Sequence, residues 1–229
     1  MPKRLQKEIE KLKNKVLNLA AIVEDRVRMA VKAIDDRDEK LAEKVVENDF
    51  EINDLEVDLE EDSLKVLALH QPVAIDLRYI VAILKINNDL ERIGDLAVNI
   101  AERAAFLATQ PKVDIPFDFP AMSEIAQSML RKAIDALVNM DAELAYEVLE
   151  TDDKVDELNR KMYTQVEEGL LKCHEHVKSL MHILSTSRHL ERVADHATNI
   201  AEDVIYLIEG EVVRHRAEDY RAIHKNPKI

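Results

Sequence analysis

Carboxylate and amide side chains recur at a spacing of four residues in this sequence, and together they could bind a metal cation. Residues four apart lie on the same face of an α-helix, so each pair would present its oxygen atoms side by side. Two such pairs occur in each half of the chain, and we call the four residues of one half a quartet. The first quartet is Asp49, Asn53, Glu91 and Asp95, and the second quartet is Asp152, Asp156, Glu191 and Asp195.

The position of each quartet relative to the predicted turns is more informative than the spacing. The 46 Asp and Glu residues among 229 would give roughly nine pairs at this spacing by chance. Antiparallel helices, however, place residues side by side when these are equally far from the connecting turn. The midpoint of the first quartet falls at Pro72, and that of the second falls in the segment Cys173–His176. We therefore predict that the two pairs of each quartet face each other across neighbouring helices.

Two interpretations of the quartets remain open from the residues alone. Converging carboxylates repel one another, and a hard cation such as Mg²⁺, Mn²⁺, Ca²⁺ or iron would relieve the repulsion because these ions favour oxygen ligands. The alternative is a polar layer between helices without metal. In that layer, Arg92 and Arg192 would neutralise the acids, and Asn99 and Asn199 would fix the helix register.

Long helices are predicted to position these residues. Apolar residues recur every three or four positions over most of the chain, which is typical of amphipathic helices, here of about 30 residues and roughly 45 Å each. The pattern breaks at Asp35–Asp38, where an acidic residue can cap a second helix, and again at Pro72, Asn139–Asp141 and Cys173–His176. Pro72 is suited to the first turn of a third helix. The segment 109–120 holds three of the six prolines and is predicted to be an extended linker.

The two halves of the chain are copies of one another. Residues 90–102 match residues 190–202 at an offset of 100, and the match includes the acidic positions and an asparagine. We therefore predict an all-α protein of two tandem antiparallel three-helix bundles, with six long helices. The predicted boundaries are 1–108 for the first bundle, 109–120 for the linker, 121–210 for the second bundle and 211–229 for a C-terminal tail.

Composition excludes several classes of protein. Three glycines and six prolines are too few for the turns of a β-sandwich, a barrel or a glycine-loop nucleotide fold. The net charge of −14 argues against nucleic acid or a lipid surface as the main partner. The single cysteine, Cys173, fits a reducing compartment. No apolar run approaches a membrane span and no signal peptide is recognisable, so a cytoplasmic location is expected.

The sequence around Glu91 and Glu191 resembles the signature of the PhoU family. The segments Leu90–Asp95 and Leu190–Asp195, together with Gln71–Arg78, are similar to its motifs, and the resemblance covers about residues 5–208. It implies two three-helix bundles with an acid-xxx-Asp motif pair in each, at which some members bind iron or other metals. Carried over, the metal ligands would be the two quartets, with iron the first expectation and Mg, Mn, Zn or Ca also open. Asn53 departs from the expected Asp, which weakens the first site.

The resemblance also implies a function. PhoU-like proteins are cytoplasmic negative regulators of the phosphate response, and they link the phosphate ABC transporter ATPase to a sensor histidine kinase. We therefore expect a homodimeric regulatory adaptor that is not an enzyme, binds no nucleic acid and reaches the membrane only through protein partners. The alternative is a metal-dependent helical-bundle enzyme or a metal-buffering protein that uses the same acids.

Other candidate sites have weaker support. A ferritin-like di-iron oxidase needs Glu three residues before His, which none of the eight histidines has, and its acids would point into the core. His182, His189 and His196 repeat every seven residues, and we interpret them as a polar or interface stripe rather than a second metal site. Cys173–His176 is interpreted as a surface turn rather than a zinc site. The basic stretches 3–15 and 214–228 are interpreted as solvated ends, although they could contact an acidic partner.

Overall fold

The computed structural model describes residues 3–113, 117–172 and 174–210, and these residues form seven α-helices and no strand. The helices of the first half are α1 (Lys3–Asp35), α2 (Glu39–Glu47), α3 (Phe50–His70) and α4 (Ala74–Thr109). Those of the second half are α5 (Phe119–Asn139), α6 (Ala142–Lys172) and α7 (Val177–Glu209), with a 3-10 turn at His174–His176 between the last two. The all-α prediction of two three-helix bundles is confirmed.

The first bundle forms because each long helix buries one apolar stripe. On α1, Leu12, Leu19 and Val23 are almost fully buried, while the charged residues of this helix are exposed or half-buried. They pack against α4, whose buried face includes Ile83 and Ile86. Burial of a Leu or Ile side chain contributes about 1.5–3 kcal/mol, so this periodic stripe is sufficient to order the helices side by side.

The second predicted helix is divided into α2 and α3, which is a difference from the single continuous helix expected. Asn48 ends α2, and its side-chain amide donates to the carbonyl of Lys44 at 2.7 Å. The next amides, of Asp49 and Glu51, bond to carbonyls three residues back, at 3.4 and 3.3 Å. The Asn48 side chain thus competes with backbone amides for a helical carbonyl, which favours a tighter turn at this point.

The turns of the first bundle have recognisable capping. Asp38 caps α2 as predicted, accepting from the amide of Leu41 at 3.0 Å. Gln71 ends α3 in the left-handed conformation, with φ of 45°. Pro72 lies at the predicted corner, but α4 begins at Ala74, so the proline precedes the first helical turn instead of lying within it. A proline at this point prevents α3 from continuing.

The second bundle repeats the plan with α6 as one unbroken helix. Asp118 caps α5 through the amide of Ala121 at 3.0 Å, and Asp141 accepts from the amide of Leu144 at 3.1 Å where α6 begins. The predicted break at Asn139–Asp141 is thus present. Cys173 and residues 114–116 lie outside the described residues, as does the predicted tail, so the linker and tail boundaries remain predictions.

The two bundles pack side by side through α4 against α7 and α1 against α5. Helices α4 and α7 run antiparallel, since Phe106 stacks on His182 near one end and Lys85 contacts Asp203 near the other. Arg37 extends from the α1–α2 turn to the carbonyls of Leu107, in the last turn of α4, and of Gln110, just beyond the helix, and so helps to cap that end. This packing leaves α3 and α6 on the outside, and each quartet lies between one of these helices and its neighbour, α4 or α7.

Candidate functional site

The first quartet lies where α3 begins and midway along α4. Asn53 donates its side-chain amide to Oδ2 of Asp49 at 3.1 Å, so these two residues are paired within one helix. On α4, the guanidinium of Arg92 lies 3.4 Å from Oε2 of Glu91 and 3.3 Å from Oδ2 of Asp95. One cation therefore already neutralises part of this quartet, as the polar-layer interpretation expects.

Acidic residues of α3 and α4 influence each other across the helix pair. Burial raises the pKa of Glu91, with further upward contributions from Asp95, Glu56 and Asp49, while Arg92 lowers it. Glu56 is an acid that sequence reasoning missed, and burial followed by repulsion from Glu60 raises its own pKa. Its backbone carbonyl accepts from the side chain of Asn87 at 2.8 Å, which fixes it against α4. Arg92 thus contacts both acids of the α4 pair, and Asp49 of the other pair is near enough to raise the pKa of Glu91.

The second quartet has a stronger mutual repulsion. Burial raises the pKa of Asp152 to about 6, and Asp195, Asp156 and Glu191 all add to the rise. Burial also raises the pKa of Glu191 and of Asp195, and Asp156 on the facing helix contributes to both shifts. Arg188 partly offsets the rise at Glu191, and Arg192 partly offsets the rise at Asp195. Asp156 itself lies 3.9 Å from the guanidinium of Arg160, too far for a close ion pair. The structure therefore brings all four residues of this quartet into one electrostatic cluster.

The donor chemistry of the second quartet fits a hard cation better than that of the first. Four clustered carboxylates, of which Asp152, Glu191 and Asp195 have a raised pKa, are a suitable ligand set for an ion such as Mn²⁺ or iron. The first quartet offers three carboxylates and an amide, with Arg92 competing for two of the carboxylates. Across the described part of the chain, no group of three or more His, Cys, Asp or Glu side chains is arranged to hold a metal ion. Metal binding by the quartets stays a prediction.

The quartet acids lie at the bundle surface. The side chains of Asp95 and Asp156 are 43% and 42% exposed. A ferritin-like oxidase needs its carboxylates to project into the bundle core, where the described residues place Leu, Ile and Val instead. The position of the acids therefore disfavours that enzymatic alternative.

The two asparagines of the repeated motif have different roles. Asn99 donates to the backbone carbonyl of Asp95 within α4 at 2.8 Å, whereas Asn199 on α7 donates to Oδ1 of Asp89 on α4 at 3.4 Å. Glu102, the last acid of the same repeated motif, pairs with Arg103 of its own helix at 2.8 Å. Only Asn199 therefore acts between helices, and it does so between the two bundles.

A groove of about 760 Å³ runs between α4 and α7 and was not predicted from the sequence. Lys85 and Asp203 form an ion pair at 2.8 Å along its wall, and His196 lies 2.8 Å from Asp89. Arg92 and Arg192 line the same groove. The repeat could not indicate these contacts, because Ser185 and His189 occupy the positions equivalent to Lys85 and Asp89.

The three histidines spaced by seven form an interface stripe between the bundles, in agreement with the favoured interpretation. His182 stacks on Phe106 of α4, with ring centroids 3.9 Å apart, and His196 contacts Asp89 of α4. Burial, together with the nearby Arg103 of α4, lowers the pKa of His189 to about 4. His189 is therefore neutral at physiological pH, and its Nε2 lies 3.2 Å from the hydroxyl of Ser185.

Comparison with known proteins places this architecture in a family. A family model described as the PhoU domain matches residues 16–104 and again residues 119–204. No helix within the described residues is long and apolar enough to cross a membrane. The duplication recognised from the sequence thus corresponds to two copies of one domain.

Individual relatives and solved structures are similar along nearly the whole chain. The chain is 41% identical over 213 residues to the phosphate-specific transport system accessory protein PhoU homolog of Aquifex aeolicus, covering 93% of this chain and 96% of the relative. A Thermotoga maritima homolog is 34% identical, with coverage of 90% and 89%. The crystal structure of PhoU from Pseudomonas aeruginosa matches with a TM-score of 0.85 at 35% identity, covering 90% of this chain and 99% of that one. The corresponding structure of the phosphate transport system regulatory protein PhoU from Streptococcus pneumoniae matches with a TM-score of 0.82 at 28% identity, with coverage of 91% and 99%. The chain therefore belongs to the PhoU family.

Proposed function

We propose that this protein is a regulatory adaptor of phosphate uptake and signalling. In this role it is a cytoplasmic negative regulator of the phosphate response, which links the ATPase of a phosphate ABC transporter to a sensor histidine kinase. The observation that carries the proposal is the pair of PhoU domains. Two relatives named as accessory proteins of the phosphate-specific transport system match this chain over 93% and 90% of its length. No catalytic step is needed, because the adaptor acts by binding.

The surface of the molecule supports a binding role. The net charge of −14 is carried largely on exposed helix faces, which favours association with basic protein surfaces and opposes binding to nucleic acid. The homodimer implied by the family resemblance is part of the proposal. It would present each outer face twice to membrane-protein partners.

Complementation tests the regulatory role directly. A bacterium lacking its own PhoU homologue should express a phosphate-starvation reporter even in phosphate-rich medium, and this chain should reduce that expression at least tenfold. The reporter should remain inducible when phosphate is withdrawn. A chain that accumulates as folded protein but leaves the reporter fully active would contradict the proposal.

A metal site at the second quartet is the second candidate function. It is supported by the raised pKa of Asp152, Glu191 and Asp195, since carboxylates that repel one another at neutral pH are stabilised by a shared cation. A bound cation would lock α6 against α7 and make the outer surface of the second bundle less negative. A metal-buffering protein or a metal-dependent enzyme would use the same four side chains.

A further inference from the structure

The outer face of α3 carries a row of large apolar side chains. Phe50, Val57 and Leu64 are 61%, 50% and 50% exposed, and each is seven residues from the next. Two helical turns separate neighbours in this row, so the three lie along one line about 21 Å long. We call these three residues the α3 stripe. The core side of the same helix is formed by Ile52, Leu59 and Val66, on the opposite face.

The fold does not require the α3 stripe. The core positions Ile52 and Leu59 correspond to Val155 and Met162 of α6, and all four are buried. The same register places charged residues at the positions of the stripe in the second bundle, and these are Asp153, Arg160 and Glu167. All three are exposed. One copy of the duplicated helix is thus solvated on its outer face, whereas the other copy exposes a row of hydrophobic side chains to water.

The α3 stripe is bordered by negative charge. Helix α3 contains seven Asp and Glu residues and one lysine. Asp54 and Glu61 lie about 40–60° from their neighbours in the stripe on one side, and Glu60 lies about 40–60° from its neighbours on the other. All three are exposed. A partner that covers the stripe must therefore offer an apolar face with basic residues beside it.

We propose that the α3 stripe is a docking surface for a basic amphipathic helix of another protein. A helix whose apolar residues recur at heptad spacing can lie along the stripe, and its lysines or arginines then meet the acidic borders. A second copy of this chain is the less suitable occupant, because two α3 helices would bring like charges together. The inference deepens the adaptor role proposed above and depends on that role only for the identity of the partner.

A designed peptide tests the surface without knowledge of that partner. The probe is a fluorescent peptide of about three heptads, with leucine at positions a and d, lysine at e and g, and alanine elsewhere. We expect the full-length wild-type protein to bind it with micromolar affinity and to bind less tightly as salt is added. The stripe variant F50D/V57R/L64E takes the residues of the second bundle at the same positions. It should bind at least tenfold more weakly, although its net charge becomes more negative by only one.

Two further variants separate apolar contact from charge. The control L171E/M181E alters two other exposed apolar residues, 75% and 51% exposed, and should bind the peptide as wild type does. The border variant D54N/E61Q should bind more weakly than wild type and respond less to salt. Circular dichroism and thermal unfolding verify that each variant is folded.

The outcomes distinguish this inference from the proposed function. A wild-type protein that does not bind the peptide, or a folded stripe variant that binds it equally well, overturns the docking surface. A stripe variant that changes the oligomeric state by light scattering assigns the stripe to a second copy, which also overturns it. Purified transporter ATPase and kinase form a separate arm. If neither binds wild type while the peptide does, the adaptor proposal fails and the docking surface remains.

Discussion

Nζ of Lys85 on α4 lies 2.8 Å from Oδ1 of Asp203 on α7, and this ion pair joins the two bundles. The carboxylate is almost completely buried, with 4% of its side chain exposed, whereas the lysine is 40% exposed. The ammonium also lies 5.7 Å from the ring centroid of Tyr206. A buried acid of this kind depends on its cation, because an uncompensated charge away from water is strongly unfavourable.

Replacing Lys85 by methionine should lower the free energy of unfolding. The substitution keeps a long, unbranched side chain but removes the positive charge beside Asp203. We expect a loss of about 1–3 kcal/mol, less than for a fully buried pair because Lys85 is partly solvated. The double variant K85M/D203L should recover much of the loss, since the buried charge is then absent as well. Urea denaturation of the four proteins in this cycle measures the coupling, and equal stability of K85M and wild type would contradict it.

Gly94 on α4 permits a close approach to Ile52 on α3. A Cβ atom at position 94 would lie 3.0 Å from Cδ1 and 3.1 Å from Cγ2 of Ile52. The second bundle has Ala194 in place of the glycine and Val155 in place of the isoleucine. The side chain that is larger by one methyl group there faces a side chain that is smaller by one carbon. These residues lie between the members of each quartet, so the contact also sets how closely the acids approach.

The contact between Gly94 and Ile52 predicts that substitutions at these two positions have non-additive effects on the free energy of unfolding. Gly94→Ala should gain up to about 1 kcal/mol in helix propensity but lose about 1–3 kcal/mol through crowding against Ile52. Ile52→Val alone should cost about 0.5–1.5 kcal/mol. The double variant should be more stable than the sum of the single changes indicates, because valine provides the space that alanine needs. Additive free energies of unfolding would show that the contact is not strained in the single variant.

The helices and the faces that they bury could be predicted from periodicity, because a stripe of Leu, Ile and Val determines which side of a helix leaves water. The opposition of the two pairs in a quartet also followed from distances to the turns. The division between α2 and α3 could not be predicted, because it depends on the bond that the Asn48 side chain makes to a helical carbonyl. The pairing of Lys85 with Asp203 depends on how two bundles pack, and no pattern within one helix encodes that.

Asp152 should make stability depend on pH between about 4 and 6. Its pKa in the folded protein is about 6, above the ordinary value of 3.8. In this window the folded state holds a proton that the unfolded chain has released, so stability falls as pH rises and levels off above about pH 6. In the presence of chelator, Asp152→Asn should therefore be more stable than wild type at pH 7, by about 1 kcal/mol after allowance for solvent screening. The difference should disappear near pH 4.

Urea denaturation at several pH values measures this dependence. Asp49→Asn is the matched control at the equivalent position of the first bundle. It should change the pH dependence less, since the neutral Asn53 stands where the second bundle has the repelling carboxylate of Asp156. If the free energies of unfolding of the wild type and of Asp152→Asn change equally between pH 4 and 7, the raised pKa of Asp152 is contradicted.

Metal uptake should depend on the second quartet more than on the first. Protein treated with chelator and reloaded with Mn²⁺ or anaerobic Fe²⁺ should retain metal after dialysis, as measured by elemental analysis. The variant D152A/D156A/E191A/D195A should lose most of that metal, because it removes all four mutually repelling carboxylates. The variant D49A/E91A/D95A should retain most of it, because Arg92 already neutralises Glu91 and Asp95. If the wild type and both quartet variants retain equal amounts of metal, neither quartet binds it, and both quartets are polar layers between helices. Loss in the first-quartet variant alone would mean that a cation displaces Arg92 from its carboxylates.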